Sequence, residues 1–193
     1  MALVPRPRST WMLAALLGAM FLGNMDVAIA NIAVPSIRAD LHAAGGELDL
    51  VVSGCALAYA ALLVTCARLG ETRGYRRMFL LGLGVFTFTS LACGLAPDAV
   101  SLIFARVVQG AGAALMASQV LTGIQLNFQD SARRRALGLY TAVLSGSAVI
   151  GQVAGGLLIS ANLFGSGWRP AFLTNVPTGT LLMLVAARYG PVK

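Results

Sequence analysis

The sequence is poor in charged and reactive side chains. Only 11% of its 193 residues are charged, whereas 58% are hydrophobic, and it has seven acidic residues, one histidine and three cysteines. A soluble domain of this length needs much more charge on its surface. The composition therefore indicates an integral membrane protein.

The few reactive residues form no pattern that is typical of a catalytic or metal site. Cys55, Cys66 and Cys93 are widely spaced and lie in or beside apolar segments, as small buried hydrophobic residues do. His42 is most simply a solvated loop residue. The sequence also lacks a nucleophile with an arranged base and a phosphate-cradling loop. We therefore expect no enzyme activity, no metal site and no cofactor.

Long apolar segments dominate the chain. A helix needs about 20 apolar residues to cross the hydrocarbon, and six stretches qualify, approximately 11–37, 49–68, 78–97, 99–125, 136–161 and 170–187. Helices satisfy the backbone polar groups without water. The sequence predicts an all-α integral membrane fold, with a single six-helix transmembrane domain over residues 1–193. Because the first apolar segment continues to Ile37, we interpret it as an uncleaved helix and not as a signal peptide.

The basic residues predict the orientation of these helices. The formal net charge is +7, but the Lys and Arg residues occur in short runs between apolar segments, which argues against nucleic-acid binding. The other side receives only Arg38 and Arg169. The favoured side, predicted to be cytoplasmic and to hold both termini, receives eleven: Arg6, Arg8, Arg68, Arg73, Arg76, Arg77, Arg133, Arg134, Arg135, Arg188 and Lys193.

Asp26 is a carboxylate near the middle of the first apolar segment. An ionised side chain in hydrocarbon costs roughly 3 kcal/mol or more, so such residues usually face a protein interior or a watery cavity. Gly23 and Ala30 share its helix face and leave room for a cavity. Asn24 and Asn31 lie on a different face, where we expect interhelical hydrogen bonds.

Arg106 is the second charge inside an apolar segment, and Gln109 lies one turn further along the same predicted helix. A cation beside a carboxylate favours its charged form, whereas burial disfavours it. Movement of Arg106 relative to Asp26 would therefore change the affinity of Asp26 for a proton. The alternative is that the two residues form a static ion pair.

Three further features are structural on the simplest interpretation. Trp11 and Trp168 fall near predicted helix ends, as interfacial anchors do. The third predicted helix carries no charge and is expected only to pack. The fifth has a stripe of small residues at Ser147, Gly151 and Gly155, a spacing that lets helices approach closely.

These stretches together resemble the major facilitator superfamily, and within it the fourteen-helix branch of drug:proton antiporters. The first-helix pattern of that branch, approximately LDxTIVNVALPxI, is matched at Asp26, Ile29, Asn31, Ala33, Pro35 and Ile37, with Ala28 at the usual Thr position. The fourth-helix pattern RxxQGxGAA is complete at Arg106, Gln109, Gly110, Gly112, Ala113 and Ala114.

Three more patterns follow in the family's order. The loop signature, approximately GxLADRxGRR, appears as CARLGETRGYRR and keeps Leu69, Gly74, Arg76 and Arg77, with Glu71 at the acidic position. The antiporter signature GPxxGG appears as GQVAGG, with Gln152 at the proline position and Gly151, Gly155 and Gly156 kept. The segment WRPAFLTNVPTG resembles the family's WRxxFxxNVPxG.

The resemblance implies a transporter half with defined residue roles. It implies efflux of small amphipathic compounds across the cell (plasma) membrane by alternating access, driven by the proton gradient, with membrane lipid as the surroundings. Asp26 and Arg106 would be the proton-coupling residues, and Asn31 and Gln109 would line the substrate cavity. The cytoplasmic gate would be formed by Leu69, Glu71, Gly74, Arg76 and Arg77, and the bending and packing site by Gly151, Gly155 and Gly156.

Length leaves alternatives open. Members of this family have twelve or fourteen helices in two halves, whereas this sequence continues for only six residues after its sixth predicted helix. The chain could be the N-terminal half of a transporter, or a truncated or non-transporting membrane subunit that needs a second half. It could also form a homodimer, because the two halves of the family are parallel repeats.

Overall fold

The computed structural model describes residues 7–162 and 166–189, and every regular element in these ranges is an α-helix. Six spans are long and apolar enough to cross a membrane, the last formed by two consecutive helices. This confirms the expected all-α membrane fold. Arg6 and Lys193, which were counted for orientation, lie outside the described residues. The helices are α1 (Pro7–Leu41), α2 (Gly45–Arg73), α3 (Tyr75–Gly94), α4 (Ala99–Asn127), α5 (Asp130–Ser160), α6 (Arg169–Leu173) and α7 (Asn175–Tyr189).

Most helices extend beyond the apolar stretches that predicted them. The helix α1 extends four residues past each end of the predicted 11–37 span, and α2 continues to Arg73. Apolar runs mark the hydrocarbon thickness, whereas helical hydrogen bonding continues into the polar interface. Two helices end earlier than predicted: α5 ends at Ser160, before the predicted 161, and α3 ends at Gly94, before the predicted 97. Pro97 explains the early end of α3, because the residue before a proline is disfavoured in helical conformation.

The sixth span is interrupted at Thr174, between α6 and α7. The sequence predicted one continuous helix over 170–187, and this was wrong in that detail. Pro177 lies in the first turn of α7 and has no N–H to donate to the carbonyl of Leu173, the last residue of α6. The interruption makes Asn175 the first residue of α7, and its side chain is fully buried.

The two largest apolar clusters of the buried core have a polar layer between them. One cluster contains Leu22 of α1 and Phe86 of α3, and the other contains Ala30 of α1 and Cys93 of α3. The polar layer between the two clusters consists of five buried side chains: Asp26, Ser90, Arg106, Gln109 and Asn175.

The helix α4 lies centrally and packs against α1, α2, α3 and α5, whereas α5 packs mainly along α1. Small residues permit the closest approaches. A Cβ atom at Gly110 of α4 would collide with the backbone carbonyl of Cys55 on α2. This contact brings α2 close to the turn of α4 that carries Arg106. The two spans with the smallest buried share are α5 and α2.

The two tryptophans differ in their surroundings. Trp11 is 52% exposed and stacks on Tyr189, with ring centroids 6.1 Å apart, as an interfacial anchor would. Trp168 is fully buried against Phe172 and donates its indole N–H to Asp40, so it packs inside the protein, and its role as an interfacial anchor stays a prediction. The Asp40 carboxylate also pairs with Arg169 and holds this segment against the end of α1.

Candidate functional site

The polar layer is organised around the carboxylate of Asp26, which is fully buried. Its Oδ2 atom accepts a hydrogen bond from Nη1 of Arg106 at 2.5 Å. Its Oδ1 atom accepts from Nε2 of Gln109 at 3.2 Å and from Nδ2 of Asn175 at 2.7 Å. All three partners donate, which is the arrangement that stabilises an ionised carboxylate.

Arg106 is 1% exposed and links three helices. Its Nη1 atom donates to Asp26 and to Oε1 of Gln109 at 2.6 Å, while Nε donates to the carbonyl of Val51 on α2 at 3.1 Å. Its guanidinium carbon lies 5.6 Å from the centroid of the Phe172 ring, within the range of a cation–π contact. A lysine has a single ammonium group and could not reproduce this fork of donors.

Ser90 and Asn175 complete the layer from α3 and α7. The hydroxyl oxygen of Ser90 accepts from Nε2 of Gln109 at 2.7 Å and from Nδ2 of Asn175 at 3.4 Å. The sequence had assigned α3 only a packing role, and this was incomplete. A small polar residue inside an apolar helix, such as Ser90, is a weak sequence signal. Asn175 belongs to the matched segment WRPAFLTNVPTG, but only its contacts identify it as part of the site.

A cavity of about 310 Å³ adjoins Asp26 and is bordered by α1 to α5. Gly23 lies in its wall, as the small residues around Asp26 had suggested. The cavity is mostly apolar, with an amide and two phenols added to the carboxylate. It is lined by Met20, Gly23, Asn24, Asp26, Val27, Cys55, Ala56, Tyr59, Phe86, Ala113, Met116, Ala117, Tyr140 and Leu144.

The two residues predicted to line a substrate cavity lie elsewhere. Gln109 is fully buried in the polar layer, and Asn31 is exposed on another face of α1. The amides of Asn24 and Asn31 each donate to the carbonyl four residues earlier in α1, at 2.9 and 2.8 Å. Their expected bonds to other helices were therefore wrong, because each amide bonds within its own helix. A substrate-binding role for Asn31 and Gln109 stays a prediction.

The predicted gate loop forms a tight junction between α2 and α3. Gly74 has φ of +92°, a conformation that favours glycine, and ends α2 immediately before α3 begins. Arg76 donates to the carbonyl of Ala187 near the C-terminal end of α7, where a cation is favourable. Glu71 and Arg77 are exposed, and Leu69 is half-buried.

The small-residue stripe of α5 faces α1. A Cβ atom at Gly151 would lie 2.9 Å from the carbonyl oxygen of Met25, and one at Gly155 would lie 3.1 Å from the side chain of Ile29. A Cβ atom at Gly156 would meet nothing within 4 Å. The first two glycines thus set the distance between α5 and the segment of α1 that carries Asp26.

A helical membrane bundle with a buried ion pair beside a cavity at mid-span has the architecture of a membrane transporter. The chain belongs to the Major Facilitator Superfamily, whose family model matches residues 16–193. This family membership confirms a multi-pass membrane protein and a transporter family, not an enzyme.

Curated relatives bear the names of export and resistance proteins. The chain is 44% identical over 178 residues to the cephamycin export protein CmcT of Amycolatopsis lactamdurans. This match covers 91% of this chain and 36% of that protein. It is 38% identical to the methylenomycin A resistance protein of Streptomyces coelicolor, covering 92% of this chain and 37% of that protein. The multidrug resistance protein Stp of Mycobacterium tuberculosis is 34% identical, with 88% and 31% covered. The chain thus spans about a third of the length of these relatives.

Solved structures share the fold. A bacterial homologue of the human lysosomal transporter Spinster, in an inward-facing and occupied conformation, matches 98% of this chain and 46% of its own, with a TM-score of 0.83 and 22% identity. The proton:xylose symporter XylE matches 94% of this chain and 44% of its own, with a TM-score of 0.73 and 15% identity.

Proposed function

We propose that this chain forms the N-terminal six-helix half of an exporter that exchanges small amphipathic compounds for protons across the plasma membrane. The observation that carries the proposal is the buried ion pair of Asp26 with Arg106, in which Asp26 lies in the wall of the cavity. Intramembrane acids commonly mark ion or proton paths. The names of the relatives support export as the direction of transport.

Proton coupling follows from the dependence of Asp26 on its partner. With Arg106 at 2.5 Å, the charged carboxylate is compensated. If a helix movement separates the two groups, the buried carboxylate loses its counter-ion, and protonation then removes the cost of a buried charge. A static pair would bind no proton during the transport cycle, so the two interpretations differ in a measurable way.

The cavity supports an amphipathic substrate. Its wall is mainly apolar, including Met20, Met116 and Phe86, while Tyr59 and Tyr140 add phenol groups. Methionine and aromatic side chains adapt to ligands of varied shape. We assign the α2–α3 loop to the cytoplasmic gate. We assign the stripe with Gly151 and Gly155 to close packing of α5 on α1 that permits one helix to move against the other.

The decisive experiment measures the accumulation of a fluorescent cationic dye in inverted vesicles with an imposed proton gradient. The vesicles contain the complete transporter, which is this chain together with its second half. Asp26→Asn should abolish gradient-driven accumulation, because the amide cannot be protonated in the same way. Asp49→Asn is the matched control, since Asp49 is exposed at the start of α2. Undiminished accumulation with Asp26→Asn would refute proton coupling through this residue.

A second candidate is a membrane subunit that transports only with a second half or as a homodimer. Two observations favour it: the chain spans about a third of its relatives, and α2 and α5 are the least buried spans. A separate second half and a second copy of this chain would both cover those apolar faces.

A further inference from the structure

Asn175 is the member of the polar layer with an unused hydrogen-bonding atom. Its side chain is fully buried, and its Nδ2 atom donates to Asp26 and Ser90. Among the described residues of the layer, only its Oδ1 atom is buried without a hydrogen-bond partner. An unpaired buried acceptor costs free energy and requires an explanation.

A protonated Asp26 would need such an acceptor. A neutral carboxylic acid has an O–H group that must donate to a neighbouring atom. Arg106 has only donors, and the Oε1 atom of Gln109 already accepts from Arg106. The side-chain amide of asparagine, in contrast, presents a donor at one end and an acceptor at the other, and rotation of the amide exchanges them.

We propose that Asn175 is a positioning residue for the proton on Asp26. In the deprotonated state its Nδ2 atom donates to the carboxylate, and in the protonated state the rotated amide accepts the carboxylic O–H at Oδ1. This inference rests on the proposed function, because it assigns Asn175 a step in the same proton cycle. Asn175 follows the interruption at Thr174, so the change acts where α6 joins α7.

The other titratable groups around Asp26 do not offer the same exchange. Arg106 approaches from α4, Cys55 and Tyr59 from α2, and Tyr140 from α5 across the cavity. Cys93 of α3 donates towards Oε1 of Gln109. Thiols and phenols hold their protons more tightly than carboxyl groups do. From α6 and α7, the described neighbours are the Phe172 ring, which lies over Arg106, and Asn175 itself.

Infrared difference spectra between alkaline and acidic pH, recorded on the complete transporter in lipid nanodiscs, test the proposal directly. The carboxylic C=O band that disappears in the Asp26→Asn variant belongs to Asp26. The amide C=O band that disappears in the Asn175→Leu variant belongs to Asn175. We expect the amide band to move to lower frequency over the pH range in which the acid band appears. An amide band that does not move, or that moves equally in Asp26→Asn, would overturn the proposal.

A second variant keeps the test valid if Asn175→Leu does not fold. Asn175→Ser retains one group that both donates and accepts, so the acid C=O band of Asp26 should stay at a hydrogen-bonded frequency. Thr180→Val is the matched control on α7, because the Thr180 hydroxyl is exposed and bonds only to the Val176 carbonyl of its own helix. A change in the Asp26 band with Thr180→Val as large as with Asn175→Leu would overturn the specific role of Asn175.

Transport separates this inference from the proposed function. Gradient-driven dye accumulation should fall about tenfold or more with Asn175→Leu, the factor expected for one hydrogen bond to a charged group. If the wild-type protein shows no dependence on the proton gradient, the proposed function fails while the infrared result still decides the role of Asn175. Unchanged accumulation with Asn175→Leu in a gradient-dependent transporter would overturn the inference alone.

Discussion

Asp26 and Arg106 illustrate how far single residues can be interpreted from sequence. Both were predictable as candidates, because charges inside apolar segments are rare and costly. Gln109 was also a candidate, and Asn175 lies in the matched segment WRPAFLTNVPTG, but the contacts of Asp26 with Asn175 and the role of Ser90, a small side chain common in membrane helices, were not predictable. The bonds from α3 and α7 depend on how the helices pack, and helix packing is not contained in the periodicity of any one segment.

A double-mutant cycle tests the ion pair at the same scale. Asp26→Asn leaves a buried guanidinium without its counter-ion, and Arg106→Gln leaves a buried carboxylate, so each single change should destabilise the fold by roughly 3–5 kcal/mol. The double variant has no buried charge at this position and should be more stable than the sum of the single effects predicts. Thermal unfolding of the four proteins in detergent, followed by size-exclusion chromatography, measures this difference. Additive effects would mean that the two groups do not interact in the folded protein.

At the scale of elements, apolar stretches predicted the number and order of the spans but not their internal geometry. The interruption at Thr174 depends on Pro177, which lies inside an apolar stretch and was not used to divide it. Burial of Trp168 depends on its contact with Asp40 at the end of α1, which is distant in sequence. The small-residue stripe of α5 was predictable as a packing face, although its partner helix was not.

The glycines of α5 provide a prediction with an internal control. Gly151→Ala should destabilise the protein by about 1–3 kcal/mol, because the added methyl group meets the backbone of α1 and one helix must shift. Gly156→Ala adds the same group to open space on the same helix and should be neutral, or stabilising by about 0.5–1 kcal/mol. Apparent melting temperatures in detergent compare the two. Equal changes in melting temperature for the two variants would show that α5 does not pack against α1 at Gly151.

For the whole molecule, orientation is the property that the sequence predicts without reference to packing. Eleven basic residues on one side against two on the other predict that both termini lie in the cytoplasm. A green fluorescent protein fused after Lys193 should therefore fluoresce, because it folds in the cytoplasm. A periplasmic alkaline phosphatase at the same position should be inactive, and strong phosphatase activity would contradict the predicted topology.

The apolar faces of α2 and α5 argue that transport requires more protein than these six helices. Side chains such as Leu57 and Val64 of α2, and Val153 and Leu157 of α5, are more than half exposed. Lipid can cover such faces, and so can a second set of helices, as the second candidate function proposes. The charge asymmetry disfavours an antiparallel pair of copies, so a covering partner must have the same orientation.

A chimera can test this requirement for a second half. We expect the 193-residue chain expressed alone to insert into the membrane without gradient-driven dye export. Fusion of this chain to the part of the cephamycin export protein CmcT that lies beyond the matched region should restore export, because this chain is 44% identical to the CmcT segment that it would replace. The same chimera with Asp26→Asn should be inserted but inactive, which controls for the CmcT segment acting by itself. Export by the chain alone, together with a crosslinked dimer in native membranes, would instead establish the homodimer, because two copies would then supply both halves.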